Sequence, residues 1–276
     1  MSVTAERANV TTPAPERATL KRMGDSQVLL GIVGVITGGV IWQVAALSID
    51  NSLVLPTFLD TATQLFSLGF EPDMRGHLVD TLTRVLGGFL LGSLMGLLVG
   101  ASIGASRIGR TIFNPYLNFL RAIAPIAWIV PATIWLGIGE PPIIFVIVYS
   151  AVFPVALNTI SGIAAVHGDK VRMARAFGLG RVGVFRQILV PSAIPYVLVG
   201  ARLGLGLSFM AVIGAEMIIG RSGLGYIIYD ARTTFNTDVM FAGILALGII
   251  GYLGDLAFVA LRRKIFSRYY EGNADG

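Results

Sequence analysis

The sequence contains no cysteine and only two histidines, His77 and His167. Disulfides and thiolate metal sites are therefore excluded, and two histidines are too few for a histidine-based metal cluster. Charge is also scarce, because 13% of the residues are charged while 54% are hydrophobic. This balance is far more apolar than that of a soluble domain. We expect an all-α protein embedded in a lipid bilayer.

A phosphate-binding loop is also missing, because none of the three lysines, Lys21, Lys170 and Lys264, follows a glycine. The glycines from Gly178 to Gly183 fit a dinucleotide-binding pattern, but they follow no strand and are interpreted as a bend. The net charge of +5 sorts into particular loops between apolar runs, so we predict no nucleic-acid partner. We expect no catalytic residue, no metal and no cofactor bound by this chain.

The long apolar runs define the organisation of the chain. Spanning a bilayer core takes about 20 apolar residues per helix. We predict a polytopic membrane protein of about six transmembrane helices, over residues 28–47, 82–103, 118–139, 143–165, 192–219 and 239–261. The predicted domains are a disordered cytoplasmic tail (1–26), a peripheral first transmembrane helix (27–49) and a core membrane domain (78–266). The core domain contains a cytoplasmic coupling loop (169–187).

Glycine and proline add detail to these spans. A glycine recurs at every fourth position from Gly88 to Gly104, which predicts a smooth stripe where another helix backbone approaches closely. Kinks are expected at Pro125, Pro131 and Pro154. A surface helix is expected around Phe58 to Leu68.

Orientation follows from the lysines and arginines near the span ends. The N-terminal tail, the 104–117 loop, the 169–187 loop and the C-terminus hold 15 of them, whereas the opposite loops, including the 221–238 loop, hold three. Both termini are therefore expected in the cytoplasm, which agrees with an even number of spans.

The most informative part of the sequence is a basic segment between the fourth and fifth predicted spans. It runs from Arg172 to Pro191 and reads RMARAFGLGRVGVFRQILVP. Its apolar positions predict two short helical pieces, broken between Gly178 and Gly183. A short helix in a cytoplasmic loop can lie in a groove of a partner protein and pass that partner's motion to the flanking spans.

This segment resembles the EAA loop of bacterial ABC-importer permeases, whose pattern is Glu-Ala-Ala, three residues, Gly, nine residues, Ile, any residue, Leu and Pro. This sequence departs from the pattern at three positions. Arg172 stands in place of the Glu, Met173 in place of the first Ala, and Val190 in place of the Leu. The resemblance implies that the loop docks onto an ATPase through Arg172, Ala174, Arg175, Gly178, Arg181, Ile188 and Pro191.

The resemblance extends over roughly residues 55–269 and is greatest to the nitrate, taurine, aliphatic sulfonate and bicarbonate subfamily. The matching motifs are LP at 55–56, TLTR at 81–84, GGF at 87–89, FPVALNT at 153–159, GAR at 200–202, AE at 215–216 and GLG at 223–225. It implies a type I ABC-importer permease fold in the bacterial inner membrane, with a second copy of the permease. It further implies two copies of an ABC ATPase subunit, which uses the ATP, and a periplasmic or lipid-anchored substrate-binding protein.

The expected function is that of a permease subunit, not an enzyme, in an ATP-driven importer of a small anionic solute of the sulfonate or taurine, nitrate or bicarbonate class. One alternative is a permease for an amino acid or a thiamine-precursor pyrimidine. Another is a self-sufficient secondary transporter, which would require internal repeats or buried charges at the midplane. The two halves of the sequence show neither clearly.

Ionisable residues inside apolar spans are expensive and are candidates for function. Arg202 and Asp255 lie at similar depth on antiparallel spans and are expected to form a structural ion pair, with snorkelling or contact with cargo as alternatives. Glu216 is expected either to structure the 220–225 turn or to act at an external gate. Trp128 and Trp135 either line the path or serve in packing or lipid contact.

Overall fold

The computed structural model describes the backbone of residues 17–271 and the side chains of residues 29–264 except Pro72. All regular structure within these residues is helical. The helices are α1 (Arg17–Ile49), α2 (Phe58–Phe70), α3 (Pro72–Gly104), α4 (Arg107–Ala122), α5 (Ile129–Leu136), α6 (Glu140–Ala164), α7 (Gly168–Ala176), α8 (Arg181–Val184), α9 (Val190–Ile219), α10 (Leu224–Thr233) and α11 (Thr237–Glu271).

The chain divides into two compact units after Leu59. In the first unit, α1 contains an apolar span and the following chain folds back along it. The Trp42 indole Nε1 donates a hydrogen bond to the Pro56 carbonyl at 3.0 Å, and the Trp42 and Phe58 rings meet edge to face at 5.8 Å. Helix α1 begins at Arg17, inside the segment predicted as a tail, and residues 1–16 of that predicted tail lie outside the described residues.

The core of the second unit is formed by α3, α6 and α9, of which α6 is the most buried. The predicted glycine stripe of α3 faces α6, as expected. A Cβ atom at Gly92 or Gly96 would lie 2.7 Å or 2.5 Å from a carbonyl oxygen of α6. Only glycine allows the two backbones to approach this closely, so α3 and α6 are held in one register.

Within the part of the chain that the structure describes, five helices are long and apolar enough to cross a membrane. Helix α4 and the 125–136 segment are bent by 87° relative to each other, and a sixth crossing results if this pair counts as one broken span. The interruption predicted at Pro125 is present as a sharp break, but the first helix of the pair begins at Arg107, well before the predicted start of the span at residue 118. The break lies between Ala122 and Pro125, where a 3₁₀ turn (Pro125–Trp128) precedes α5, because proline cannot donate to the preceding helical turn.

Residues 104–117, predicted as a loop, instead form most of α4, and the predicted 221–238 loop contains α10. Both helices are too short or too polar to be found by a search for long apolar runs. Helix α6 runs unbroken across Pro154. The surface helix expected around Phe58 to Leu68 is confirmed as α2.

Candidate functional site

Residues 168–191 contain the loop that the sequence predicts to dock onto an ATPase, and for that prediction we call them the coupling segment. They begin with α7, as expected from the apolar spacing. The helix ends in a turn where Gly178 adopts a left-handed backbone with φ of 85°. The Leu179 amide donates to the Ala174 carbonyl at 3.1 Å and the Gly178 amide to the Arg175 carbonyl at 2.9 Å. These two bonds define a Schellman C-cap, in which glycine avoids the strain that a side chain would add.

One face of α7 packs inward while the other is exposed. Ala174 is buried, whereas the Arg172 side chain is exposed and pairs with Asp169 of the same turn. Three exposed apolar side chains, Met173, Phe177 and Val182, form what we call the coupling patch. Exposed apolar side chains beside arginines give a surface suited to binding another protein.

The second predicted piece of the coupling segment is not a separate helix. Helix α8 continues through a π-helical turn (Phe185–Leu189) directly into α9. Pro191 follows this turn, and its ring would clash with a carbonyl in a regular α-helix, which explains why the turn is widened. Ile188 lies within the turn and is half-buried.

A cleft of about 790 Å³ lies beside the coupling segment and joins it to the end of α3, to α4 and to the end of α6. Its lining contains four arginines and no acidic residue: Arg107, Arg110, Arg175 and Arg181. The cleft is therefore strongly electropositive.

Far from this cleft, at the other ends of α3 and α9, Arg84 is the centre of a group of charges that we call the Arg84 cluster: Arg84 and Glu216, which are buried, and Glu140, whose side chain is 60% exposed. The guanidinium of Arg84 bonds Glu140 in a bidentate manner at 2.5 and 2.7 Å, and Glu216 at 2.7 Å. It also donates to the carbonyl and the hydroxyl of Ser222, both at 2.8 Å. All five guanidinium N–H groups are thus used.

Glu216 is 1% exposed and its carboxylate is bonded on every side. Besides Arg84, it accepts hydrogen bonds from the Thr81 hydroxyl at 2.9 and 3.0 Å and from the Gly225 amide at 3.0 Å. The Thr81 oxygen in turn accepts from the Leu224 amide at 2.9 Å. Glu216 therefore joins α3, α9 and the start of α10, and it lies against the 220–225 turn.

Gly223 makes this packing possible. Its φ is 108°, and a Cβ atom there would lie 2.3 Å from the Glu216 carboxylate. Its amide donates to Nδ1 of His77 at 2.9 Å. Any larger residue would push the turn away from the buried charge.

The sequence interpretation missed the partners of Glu216. In the sequence analysis Arg84 entered only as the last residue of the TLTR motif, and Glu140 was not considered. A signal was available, because α3 and α9 are antiparallel and each carries one opposite charge near the same end. A charge pair of this kind lowers the cost of burying both groups.

The structure brings Arg202 and Asp255 together across α9 and α11. The guanidinium meets the carboxylate in a bidentate arrangement, with Nε–Oδ1 and Nη2–Oδ2 distances of 2.7 Å. The two side chains are 51% and 36% exposed, so this pair is far less enclosed than the Arg84 cluster.

Trp128 and Trp135 contact each other and the aromatic side chains of α6. Their ring centroids are 6.1 Å apart, and Trp128 lies 5.5 Å from Tyr149 while Trp135 lies 6.3 Å from Phe145. Trp135 remains mostly exposed. The two rings attach α5 to α6 just beyond the break.

Known proteins similar to this chain agree with the architecture. Residues 88–267 match the family model described as binding-protein-dependent transport system inner membrane component. The taurine transport system permease protein TauC of Escherichia coli is 33% identical, over 81% of this chain and 83% of that protein. The bicarbonate transport system permease protein CmpB of Synechococcus elongatus is 31% identical, over 86% of this chain and 89% of that protein.

A solved structure gives the same fold. A chain of a bacterial alginate ABC transporter, crystallised with an alginate-bound periplasmic protein, superposes with a TM-score of 0.59 at 15% identity, covering 92% of this chain and 98% of that chain. The family consists of transport subunits that hydrolyse no ATP themselves, the ATPase being a separate polypeptide. The chain therefore belongs to the binding-protein-dependent transport system inner membrane components, the permease subunits of ABC importers.

Proposed function

We propose that this permease carries a small anionic solute of the sulfonate or taurine, nitrate or bicarbonate class, driven by an ATPase that binds the coupling segment. The relatives TauC and CmpB are named for taurine and bicarbonate, and both solutes contain an oxyanion group. The observation that carries the proposal is the coupling patch on a capped helix, in a chain of this family.

The coupling patch supports docking because its side chains contribute little to the fold of the permease itself. Phe177 is 79% exposed, so its apolar ring is available to fill a pocket of a partner. Arg172 and Arg175 flank it and favour an acidic groove on the ATPase. The buried Ala174 attaches the same helix to the rest of the permease, so the docked helix cannot move alone.

Transport follows from the way this segment continues into the membrane domain. Two permease copies would place the path between them, with one ATPase below each copy. ATP-driven closure of the ATPases would draw the two coupling segments together and rock the attached helices between inward-open and outward-open states. Packing makes these states discrete, and ATP sets the balance between them.

This arrangement requires the coupling segment and both termini in the cytoplasm. The distribution of 15 basic residues on one side against three on the other supports it. Two cytoplasmic termini require an even number of membrane crossings, and six crossings result when α4 and the 125–136 segment form one span. A substrate-binding protein would deliver the solute at the opposite face, near α10 and the Arg84 cluster.

The docking role is tested with Phe177→Ala in the purified transporter. Because Phe177 is exposed, this change is expected to leave the permease folded but to reduce ATPase co-purification and ATP-driven uptake at least fivefold. Phe235→Ala is the matched control, because Phe235 is 80% exposed at the other end of the molecule. Equal ATPase binding by both variants would show that the coupling patch is not the docking surface.

The energy source and solute class are tested in proteoliposomes that contain the permease, its ATPase and its binding protein. We expect uptake of taurine, nitrate or bicarbonate only with ATP on the ATPase side. Uptake that persists on an ion gradient without ATP would contradict the proposal and favour a secondary transporter.

A further inference from the structure

Helix α4 has a polar stripe that the proposed transport mechanism has not used. Arg107, Arg110, Asn114, Asn118 and Arg121 recur at intervals of three or four residues, which places them on one face of the helix. The first two line the cleft beside the coupling segment. The last three line a second cavity of about 330 Å³ between α4 and α6.

This second cavity, which we call the Arg121 cavity, is lined mainly by polar side chains. Three polar side chains of α4 face two polar and two apolar side chains of α6. The full lining is Asn114, Asn118, Arg121, Leu157, Asn158, Ile160 and Ser161. It contains one positive charge and no acidic residue. Its volume is in the range of small-molecule sites.

The Arg121 cavity is open on one side, because the side chains of Asn118, Arg121 and Ser161 are exposed. Leu157 and Asn158 are six or seven residues before the end of α6 at Ala164, or about 10 Å along the helix. Arg121 is next to the last residue of α4 before the break. A charged residue and three amides at this depth are costly unless they serve a polar solute or a water-filled path.

Arg121 differs from Arg84 and Arg202 in its partners. Arg84 is bonded by two glutamates and Arg202 by one aspartate. No hydrogen bond or ion pair reaches the Arg121 guanidinium from residues 29–71 or 73–264, whose side chains are described. Its donors are therefore available to a ligand.

The asparagines add further free hydrogen-bonding capacity. Asn118 and Asn158 each donate one amide N–H to a carbonyl of their own helix, at 2.8 Å, which leaves each a second N–H. The Asn114 side-chain oxygen is buried and has no partner among the described residues. Rotating the Asn114 side-chain amide by 180° would put its NH2 group, a hydrogen-bond donor, in the place of this oxygen.

Arg121 also lines a third cavity, of about 590 Å³, between α4, α9 and α11. Its charged residues are three arginines and one aspartate: Arg121, Arg202, Arg262 and Asp255. Arg121 thus stands between two cavities that both carry a positive charge excess. Such a run of positive potential attracts anions and repels cations.

We propose that Arg121, Asn114, Asn118 and Asn158 form a contact site for a small oxyanion inside the membrane domain. The site rests on the proposed function, since it would hold the anionic solute on its way across the membrane. The guanidinium offers two parallel N–H groups to a sulfonate, nitrate or bicarbonate, and the amides complete the shell. Without an acidic residue, the site gives no compensation to a cation.

The absence of native cysteine allows a direct test. Ser161→Cys is nearly isosteric and places a single thiol in the Arg121 cavity. The purified full-length permease in nanodiscs is labelled with two methanethiosulfonates, one carrying an ethylsulfonate anion and one an ethyltrimethylammonium cation. We expect the anionic reagent to react faster, and 50 mM ethanesulfonate to slow that reaction severalfold.

Removing the charge should reverse this preference. In Ser161→Cys with Arg121→Gln, the anion-to-cation rate ratio is expected to fall roughly tenfold, the order expected for loss of one nearby charge at reduced dielectric. Arg121→Lys should retain most of the ratio. If Arg121→Gln fails to fold, Asn118→Asp replaces it. This variant adds an acidic residue to the cavity and should also lower the anion-to-cation rate ratio.

Ser67→Cys is the control, because Ser67 is an exposed helical serine whose hydroxyl also donates to a carbonyl of its own helix. Its rate ratio should not respond to Arg121→Gln or to ethanesulfonate. An unchanged ratio at Ser161→Cys, or no protection by ethanesulfonate, overturns the proposal.

Two further arms identify the occupant of the cavity and separate the site from the transport role. If phosphatidylglycerol in the nanodisc blocks the thiol more than ethanesulfonate does, the occupant is a lipid headgroup and the solute site is wrong. The labelling needs neither ATP nor the partner proteins. Protection by sulfonate together with failed ATP-driven uptake would therefore leave the site standing and refute the transport proposal, and the converse result would refute the site alone.

Discussion

Arg84 lies on α3 and Arg121 on α4, and the surroundings of the two arginines are opposite. Arg84 is enclosed, with every N–H group bonded to Glu140, Glu216 or Ser222. Arg121 lines two cavities and meets no carboxylate within the described side chains. A charge in a membrane domain is therefore either neutralised for structure or left available for a ligand, and its hydrogen-bond partners distinguish the two cases.

The largest expected effect is the difference in stability between truncating Arg84 and truncating Arg121. Arg84→Ala leaves the Glu216 carboxylate buried without its counter-ion, which costs about 3–5 kcal/mol of stability. Arg121→Ala removes no described bond and should cost less than about 1 kcal/mol. Thermal unfolding of the detergent-purified variants measures both.

A companion variant decides whether the buried charge is the cause. Arg84→Met together with Glu216→Met removes both charges and should recover much of the loss, because apolar pairs often replace buried ion pairs well. Glu140→Gln, at a side chain that is 60% exposed, should have only a small effect. If Arg121→Ala unfolds at as low a temperature as Arg84→Ala, the two arginines do not differ in their contribution to stability.

A smaller effect is expected from the glycine that encloses the Arg84 cluster. Gly223→Ala introduces backbone strain at φ 108° and a clash with Glu216. Gly137→Ala is a matched control, because its φ is 81° but no atom lies within 4 Å of the added Cβ. We expect about 1 kcal/mol for the control and at least about 3 kcal/mol for Gly223→Ala, measured by the same thermal unfolding.

If the two glycine variants unfold at the same temperature, close packing around Glu216 contributes nothing beyond strain. The cluster would then be looser than its distances indicate. Arg84 and Arg121 would differ in partners but not in rigidity.

The Arg202–Asp255 pair lies between the two extremes, since it is bidentate but half-exposed. Arg202→Asp and Asp255→Arg each place two like charges together, and each should lower the yield of monodisperse protein severalfold. The double reversal should restore more than half of it, as measured by size-exclusion chromatography. A double variant no better than the singles would mean that the pair contributes nothing to assembly.

Features that depend on local spacing could be predicted from the sequence. The glycine stripe from Gly88 to Gly104 faces another helix, because a period of four keeps one helical face smooth. Helix α7 and its end near Gly178 followed from apolar spacing and from the glycines that break the segment between Gly178 and Gly183. The approach of Arg202 to Asp255 followed from equal depths on antiparallel spans.

Features that depend on direction in space could not be predicted in this way. Pro125 indicated a break, but its 87° angle depends on how α5 packs on Tyr149 and Phe145. The α4 helix was missed because its polar stripe lowers its hydropathy, although the same stripe has helical spacing. The Arg84 cluster was missed because Glu140 enters from a helix whose start depends on that break.

The continuity of α8, the π-helical turn and α9 has a mechanical consequence. Together they form one helical rod of 39 residues, Arg181–Ile219, which is about 60 Å long. A tilt of about 10° at the widened turn would displace the Glu216 end by roughly 7 Å, given about 1.5 Å of rise per residue. Because Glu216 is hydrogen-bonded to Thr81 and Arg84 of α3, α3 would move together with that end of the rod. A tilt that begins at the coupling segment would therefore displace two helices at the opposite end of the molecule.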